Sequence, residues 1–110
     1  MTVLGTDADG VRVLRVDGEL DVAVVPALLD RVGELLDGAA DTVLDLTGAT
    51  FFDSSGVRLV DRLMRACRSA GGRLVVAAPP GSTSRRVLEV VGMGGDLLAD
   101  DVASALAALR

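Results

Sequence analysis

The chain has 110 residues, half of them hydrophobic and a quarter charged, which is the size of one domain with enough apolar side chains for a core. Its formal net charge of −5 argues against nucleic acid and anionic membrane surfaces, whose binding rests on cationic contacts to phosphate. It contains no His, Lys, Tyr or Trp, which excludes a Ser-His-Asp triad, imidazole metal ligation, Ser-Lys and Schiff-base chemistry, and a P-loop lysine.

The apolar runs fall well short of the ~20 residues that cross a bilayer. The first ten residues, M-T-V-L-G-T-D-A-D-G, have neither the basic nor the apolar region of a secretory signal. The single cysteine, Cys67, has no partner for an internal disulfide. The expectation is a cytoplasmic protein that is not an enzyme and carries neither cofactor nor metal.

In chain order, Val3–Asp7 and Val11–Val16 flank Asp9-Gly10, a strong hairpin turn signal. V-R-V-L-R-V alternates roughly, as a half-exposed strand does. Asp17–Asp21 reads as a polar connection. Pro26 then marks a helix start, with Leu28, Val32, Leu35 and Leu36 at helical spacing and Gly38 as a C-terminal cap. Thr42–Leu46 is a second short apolar strand, broken by Gly48.

The next helix is expected over about Gly56–Ala70, with Val60, Leu63, Met64 and Cys67 inward and Arg58, Asp61, Arg62 and Arg65 on the wet face. Cys67 is thereby expected to be a small core residue, since free Cys is often buried. Gly71-Gly72 ends the helix. Leu74–Ala78 is entirely apolar, the pattern of a strand covered on both faces. Pro79-Pro80-Gly81 stops it, and Ser82 caps a helix to Val91 with Val87, Leu88 and Val91 inward. Arg85-Arg86 reads as a solvated helix start. A short strand at Leu97-Leu98 precedes a last helix, Val102–Leu109, capped by Asp100 or Asp101. The order ββαβαβαβα predicts an α/β fold: a mixed, mainly parallel sheet with right-handed crossovers, an N-terminal β-hairpin and four helices.

The stretch that carries chemistry lies between the second parallel strand and its helix: Phe51-Phe52-Asp53-Ser54-Ser55-Gly56. Phe51 and Phe52 are the only aromatic residues. One ring is expected to anchor the loop, and an exposed one would mark a contact surface. A helix N-terminus offers unpaired N–H groups and positive potential, so it accommodates an anion. Two readings stand here: Asp and Ser as helix caps, or a hydroxyl presented for modification. Sites in open parallel sheets gather at the carboxyl ends of strands. Asp21 lies beyond another such end, so the two segments can share one surface. Asp45 and Asp53 invite comparison with a phospho-aspartate receiver, but such domains also use a Lys, which this chain lacks.

Gly18-Glu19-Leu20-Asp21, Val43-Leu44-Asp45-Leu46, Phe51–Val57 and Gly71–Val76 together resemble the STAS domain, specifically the bacterial anti-anti-sigma factors, or anti-sigma factor antagonists. The resemblance covers nearly the whole chain and implies a single STAS domain over residues 1–110. It implies a protein that binds an anti-sigma factor serine kinase and frees the sigma factor. The kinase then phosphorylates a serine of the Asp-Ser-Ser-Gly loop, and a metal-dependent serine/threonine phosphatase resets it. By position the phospho-acceptor is Ser55, and Asp21, Asp53, Ser54, Ser55, Gly56 and Arg58 form the partner-facing surface. The same family resemblance also admits an interaction or scaffold module with no phosphorylation cycle. Departures from the pattern are Val57 in place of Leu, Val24-Val25 in place of Thr-Ala before Pro26, and the glycine-rich Met93–Asp96.

Overall fold

A computed structural model describes residues 2–36, 38–39 and 41–110. The first hairpin joins β1 (Thr2–Ala8) to β2 (Val11–Leu20) in antiparallel register from Thr2–Asp17 to Ala8–Val11. Asp9 and Gly10 both have positive φ, 54° and 78°, as the predicted two-residue hairpin turn requires.

β2 runs four residues further than predicted, because Asp17–Leu20 is strand rather than connection. Its first part pairs in parallel with β3 (Thr42–Asp45), from Arg12–Thr42 to Arg15–Asp45. Its last part pairs with β4 (Ala49–Phe52), a segment whose sequence alone predicts a loop. Gly18 lies opposite Ala49, Glu19 opposite Phe51 and Leu20 opposite Phe52. The register shift leaves Thr50 as an extra residue. Gly18 has φ 94°, a conformation that glycine adopts freely, and donates its N–H to the Gly48 carbonyl at 3.0 Å. β5 (Leu74–Ala77) pairs with β3, and the two-residue β6 (Leu98–Ala99) pairs with β5, all in parallel. The sheet order is β1-β2-β3-β5-β6, with β4 beside the end of β2. The mainly parallel sheet with an N-terminal hairpin is therefore as predicted, with one strand more.

The first predicted helix is two short pieces, α1 (Val25–Asp30) and α2 (Val32–Leu36), separated at Arg31. α3 (Ser54–Ser69) begins two residues earlier than predicted. Its end is closed by Gly71 N–H to the Arg68 carbonyl and Gly72 N–H to the Cys67 carbonyl, the paired bonds of a Schellman motif. α4 (Thr83–Val90) is capped by Ser82, and α5 (Val102–Ala108) by Asp101 rather than Asp100. A single 3₁₀ turn, Gly95–Leu97, leads into β6.

Strand alternation divides the interior into two cores. Leu14, Val16, Leu20, Leu44 and Val76 face Leu28, Val32, Leu36, Leu59, Val60, Leu63, Cys67 and Leu88 of α1–α4. Val11, Val43, Val75 and Ala77 face Ala105 of α5. β3 and β5 lie between these layers and are buried at every position, which is why Leu74–Ala78 carries no polar residue. Cys67 is fully buried as expected, and burial pushes its thiol up from the ordinary range. Val91, expected to face inward, is 51% exposed: α4 stops at Val90, and the Met93 N–H turns back to the Leu88 carbonyl at 2.8 Å.

Arg85 corrects the reading of Arg85-Arg86 as solvated. One terminal nitrogen donates to the Ala78 carbonyl at 2.9 Å and to Asp100 Oδ1 at 2.7 Å. It ties the end of β5 to the turn before α5, while Arg86 stays exposed.

Candidate functional site

The site is built by the β2–β4 pairing. Leu20 and Phe52 are register partners, and both side chains are buried under the helices. Asp21 and Asp53 follow directly, one at each strand end, so the two acidic residues leave the sheet as neighbours. The sequence pattern predicts a strand ending at Val16 before Asp21; the strand that delivers Asp21 ends at Leu20.

Each carboxylate organises its own turn. Asp21 Oδ1 accepts the N–H groups of Ala23 and Val24 at 3.0 and 3.1 Å, and its carbonyl accepts those of Val24 and Val25. This turn swings the chain from β2 into α1. Asp53 has extended backbone, φ −130° and ψ −161°, and caps α3: its Oδ1 accepts the Ser55 N–H at 2.8 Å. Asp53 is thus the cap, and Ser54 and Ser55 occupy the first turn of the helix. The capping role that the sequence left open between Asp and Ser belongs to the carboxylate.

Ser54 is exposed and Ser55 half-buried. Among the described residues neither hydroxyl has a hydrogen-bond partner. The carboxylate nearest in sequence, Asp53, is committed to the backbone, so the hydroxyls are presented without a general base of their own. This geometry suits a serine that receives a group from another protein's active site.

Gly56 is buried for a reason the sequence did not disclose. A Cβ at this position would lie 2.5 Å from Phe52 Cε2 and 2.7 Å from Cδ2. The Phe52 ring thus sits flush against the helix backbone and sets the distance between β4 and α3. The neighbouring ring, Phe51, points to the opposite face beside Glu19 and is 47% exposed. Phe52 is thus the ring that anchors the loop, while Phe51 is the exposed ring that the sequence associates with a contact surface. Val22, in the loop after Asp21, is 74% exposed and adds a second uncovered apolar side chain in the loop that follows the neighbouring strand.

Along α3, Arg58 lies one turn after Ser55 and is exposed. With Leu29, Asp61, Arg62 and Arg65 it lines a cleft of about 190 Å³ between α1 and α3. Asp61 pairs with Arg65 at 3.1 Å, as the sequence spacing predicts.

Asp45 and Asp53, the residues that invite comparison with a receiver, are held apart in different roles. Asp45 is buried in β3, where its Oδ1 accepts the Thr47 N–H and O–H at 2.9 and 2.6 Å and its Oδ2 lies 3.7 Å from Arg15. Arg15 is also bonded to Asp17 at 2.9 Å, and this neighbour holds its guanidinium above its usual range. No cluster of potential metal ligands occurs among the described residues, and no helix among them is long and apolar enough to cross a membrane.

Residues 6–105 match the STAS domain family. The anti-sigma F factor antagonist of Lysinibacillus sphaericus is 34% identical over 84 residues, covering 74% of this chain and 71% of that protein. The crystal structure of an anti-sigma factor antagonist from Mycobacterium paratuberculosis superposes with a TM-score of 0.86 at 31% identity, over 99% of this chain and 93% of that one. The Bacillus cell fate determinant SpoIIAA in its phosphorylated form superposes with a TM-score of 0.74 at 26% identity, over 99% and 100% of the two chains.

Proposed function

The chain belongs to the STAS-domain family, and on that premise we propose that it is an anti-sigma factor antagonist switched by phosphorylation of Ser55. In its unmodified form it binds an anti-sigma factor serine kinase, through a surface that includes Asp21, Asp53, Ser54, Ser55, Gly56 and Arg58, and so frees the sigma factor. Transfer of a phosphoryl group to Ser55 ends that binding, and a metal-dependent serine/threonine phosphatase restores it. The relatives named as antagonists support the first part, and a structural neighbour known in a phosphorylated form supports the second.

The observation that carries the switch is the bond between Asp53 and the Ser55 N–H. A phosphoserine brings a charge of about −1.5 to −2 at neutral pH. A free helix N-terminus would return ~0.3–1 kcal/mol to an exposed anion. Here a carboxylate already occupies the N–H of the modified residue, so the phosphate gains less than that and meets a like charge. Burying the uncompensated charge in an interface costs several kcal/mol. The phosphoryl group therefore weakens association much more than it disturbs the fold.

The test is intact-mass spectrometry after incubation with ATP and the kinase-type anti-sigma factor of the same organism, followed by peptide mapping. One added phosphoryl group on Ser55 supports the proposal, together with persistent binding by Ser55→Ala and lost binding by Ser55→Asp. Stable association without phosphoryl transfer would replace it with a STAS interaction module in which Asp53-Ser54-Ser55 is a helix cap only.

A further inference from the structure

We propose that the cleft between α1 and α3 receives an acidic segment of the protein partner and so holds that partner beside Ser55. The inference rests on the partner-binding function proposed above and adds the chemistry of the contact. In a chain of net charge −5, three of the eleven arginines, Arg58, Arg62 and Arg65, converge on this one concavity. Asp61 pairs with Arg65, and among the described residues neither Arg58 nor Arg62 has an ion-pair partner. Two guanidinium groups thus face an open cleft with their carboxylate-binding forks unused.

The dimensions favour side chains over a small metabolite. The volume of about 190 Å³ is below the ~300–1,000 Å³ of ordinary ligand pockets. No aromatic residue lines it, so no ring is offered to a base or sugar, and among the described residues Leu29 supplies the one apolar wall. Arginine presented in this way pairs bidentately with Asp or Glu. The location supports the occupant as well. Ser55, Arg58, Arg62 and Arg65 follow one another at spacings of three, four and three residues, which places all four on one face of α3. A chain that engages Ser55 and continues along this face meets the arginines next.

The test measures the affinity of the full chain for the anti-sigma factor at ~0.05 and ~0.5 M salt. For Arg58→Gln/Arg62→Gln we expect binding weakened by about tenfold or more at low salt, a flatter salt dependence and an unchanged thermal midpoint. Wild-type affinity in this variant overturns the inference while leaving the switch at Ser55 intact. Inorganic phosphate competing with the partner far beyond the effect of chloride would also overturn it, since the cleft would then be a small-anion site. If the wild-type chain does not bind the anti-sigma factor, the functional proposal fails. The cleft is then tested with a hexaglutamate peptide, read by the Nε–H signals of Arg58 and Arg62. Shifts that disappear in the double variant support it, and unmoved signals overturn it.

Discussion

The ring of Phe52 fills the space that a side chain on Gly56 would need, since a Cβ there would stand 2.5 Å from the ring. Gly56→Ala gains ~1 kcal/mol of helix propensity and must displace a ring that is itself 97% buried. The clash wins, and we expect a net loss of ~1–3 kcal/mol in urea unfolding. Combining it with Phe52→Leu should recover part of that loss. Additive losses in the double variant would show that ring and glycine are not coupled.

Asp53 separates capping from charge at the site. Asp53→Ala removes the acceptor of the Ser55 N–H and should cost ~0.5–2 kcal/mol of stability. Asp53→Asn keeps the cap and should remain within ~0.5 kcal/mol of the wild type by the same denaturant measurement. Equal destabilisation by both would mean that the carboxylate acts through its charge.

Arg85 and Arg86 are adjacent and should respond differently. Arg85→Ala leaves the carbonyl of buried Ala78 without this donor and releases the exposed Asp100 to solvent, and we expect a loss of ~1–3 kcal/mol, mostly from the carbonyl. Arg86→Ala, on the exposed side, should stay within ~0.5 kcal/mol. Comparable losses would contradict the clasp between β5 and the turn before α5.

Thr42 Oγ1 is buried beside the buried thiol of Cys67, and among the described residues no partner meets it in hydrogen-bonding geometry. Thr42→Val removes an unpaired polar atom at nearly constant shape and should be neutral or stabilising by up to ~1 kcal/mol. A clear destabilisation would show that the hydroxyl and the thiol bond to each other. Because burial raises the Cys67 thiol, its alkylation at mildly alkaline pH should be slow in the native protein and fast in urea.

Asp101 accepts the Ser104 N–H at 2.7 Å, and the backbone and side-chain bonds from Ser104 hold its carboxyl below the ordinary value of 3.8. A carboxyl lowered in the folded state contributes stability that is complete above its unfolded value. That stability is lost as pH falls through the folded value. Acid titration should therefore erode the stability of the wild type relative to Asp101→Asn below about pH 4. Parallel curves for the two proteins would remove Asp101 from the acid response.

Several features follow from local sequence. The Asp9-Gly10 hairpin, the cap at Ser82, the close of α3 at Gly71-Gly72 and the apolar run of β5 each depend on neighbouring residues and backbone preference. They were legible for that reason. The Asp-Ser-Ser-Gly stretch was legible as a strand-to-helix junction on the same grounds. What remained hidden depends on partners distant in sequence. Ala49–Phe52 looks like loop because it is short and interrupted by an extra residue; it becomes a strand only when the end of β2 supplies hydrogen bonds. That pairing sets Asp21 beside Asp53. Gly56 looks like a turn residue until the Phe52 ring is placed against it, and Arg85 looks solvated until the ends of β5 and β6 come within its reach. Arg58, Arg62 and Arg65 read as an ordinary wet face until α1 brings Leu29 alongside and turns that face into a cleft. The sequence by itself determined which segments are strands and helices with local support and which residues carry hydroxyls and charge. Tertiary structure alone decided which of those groups are neighbours, because pairing, ring packing and long side-chain reach act across the chain rather than along it.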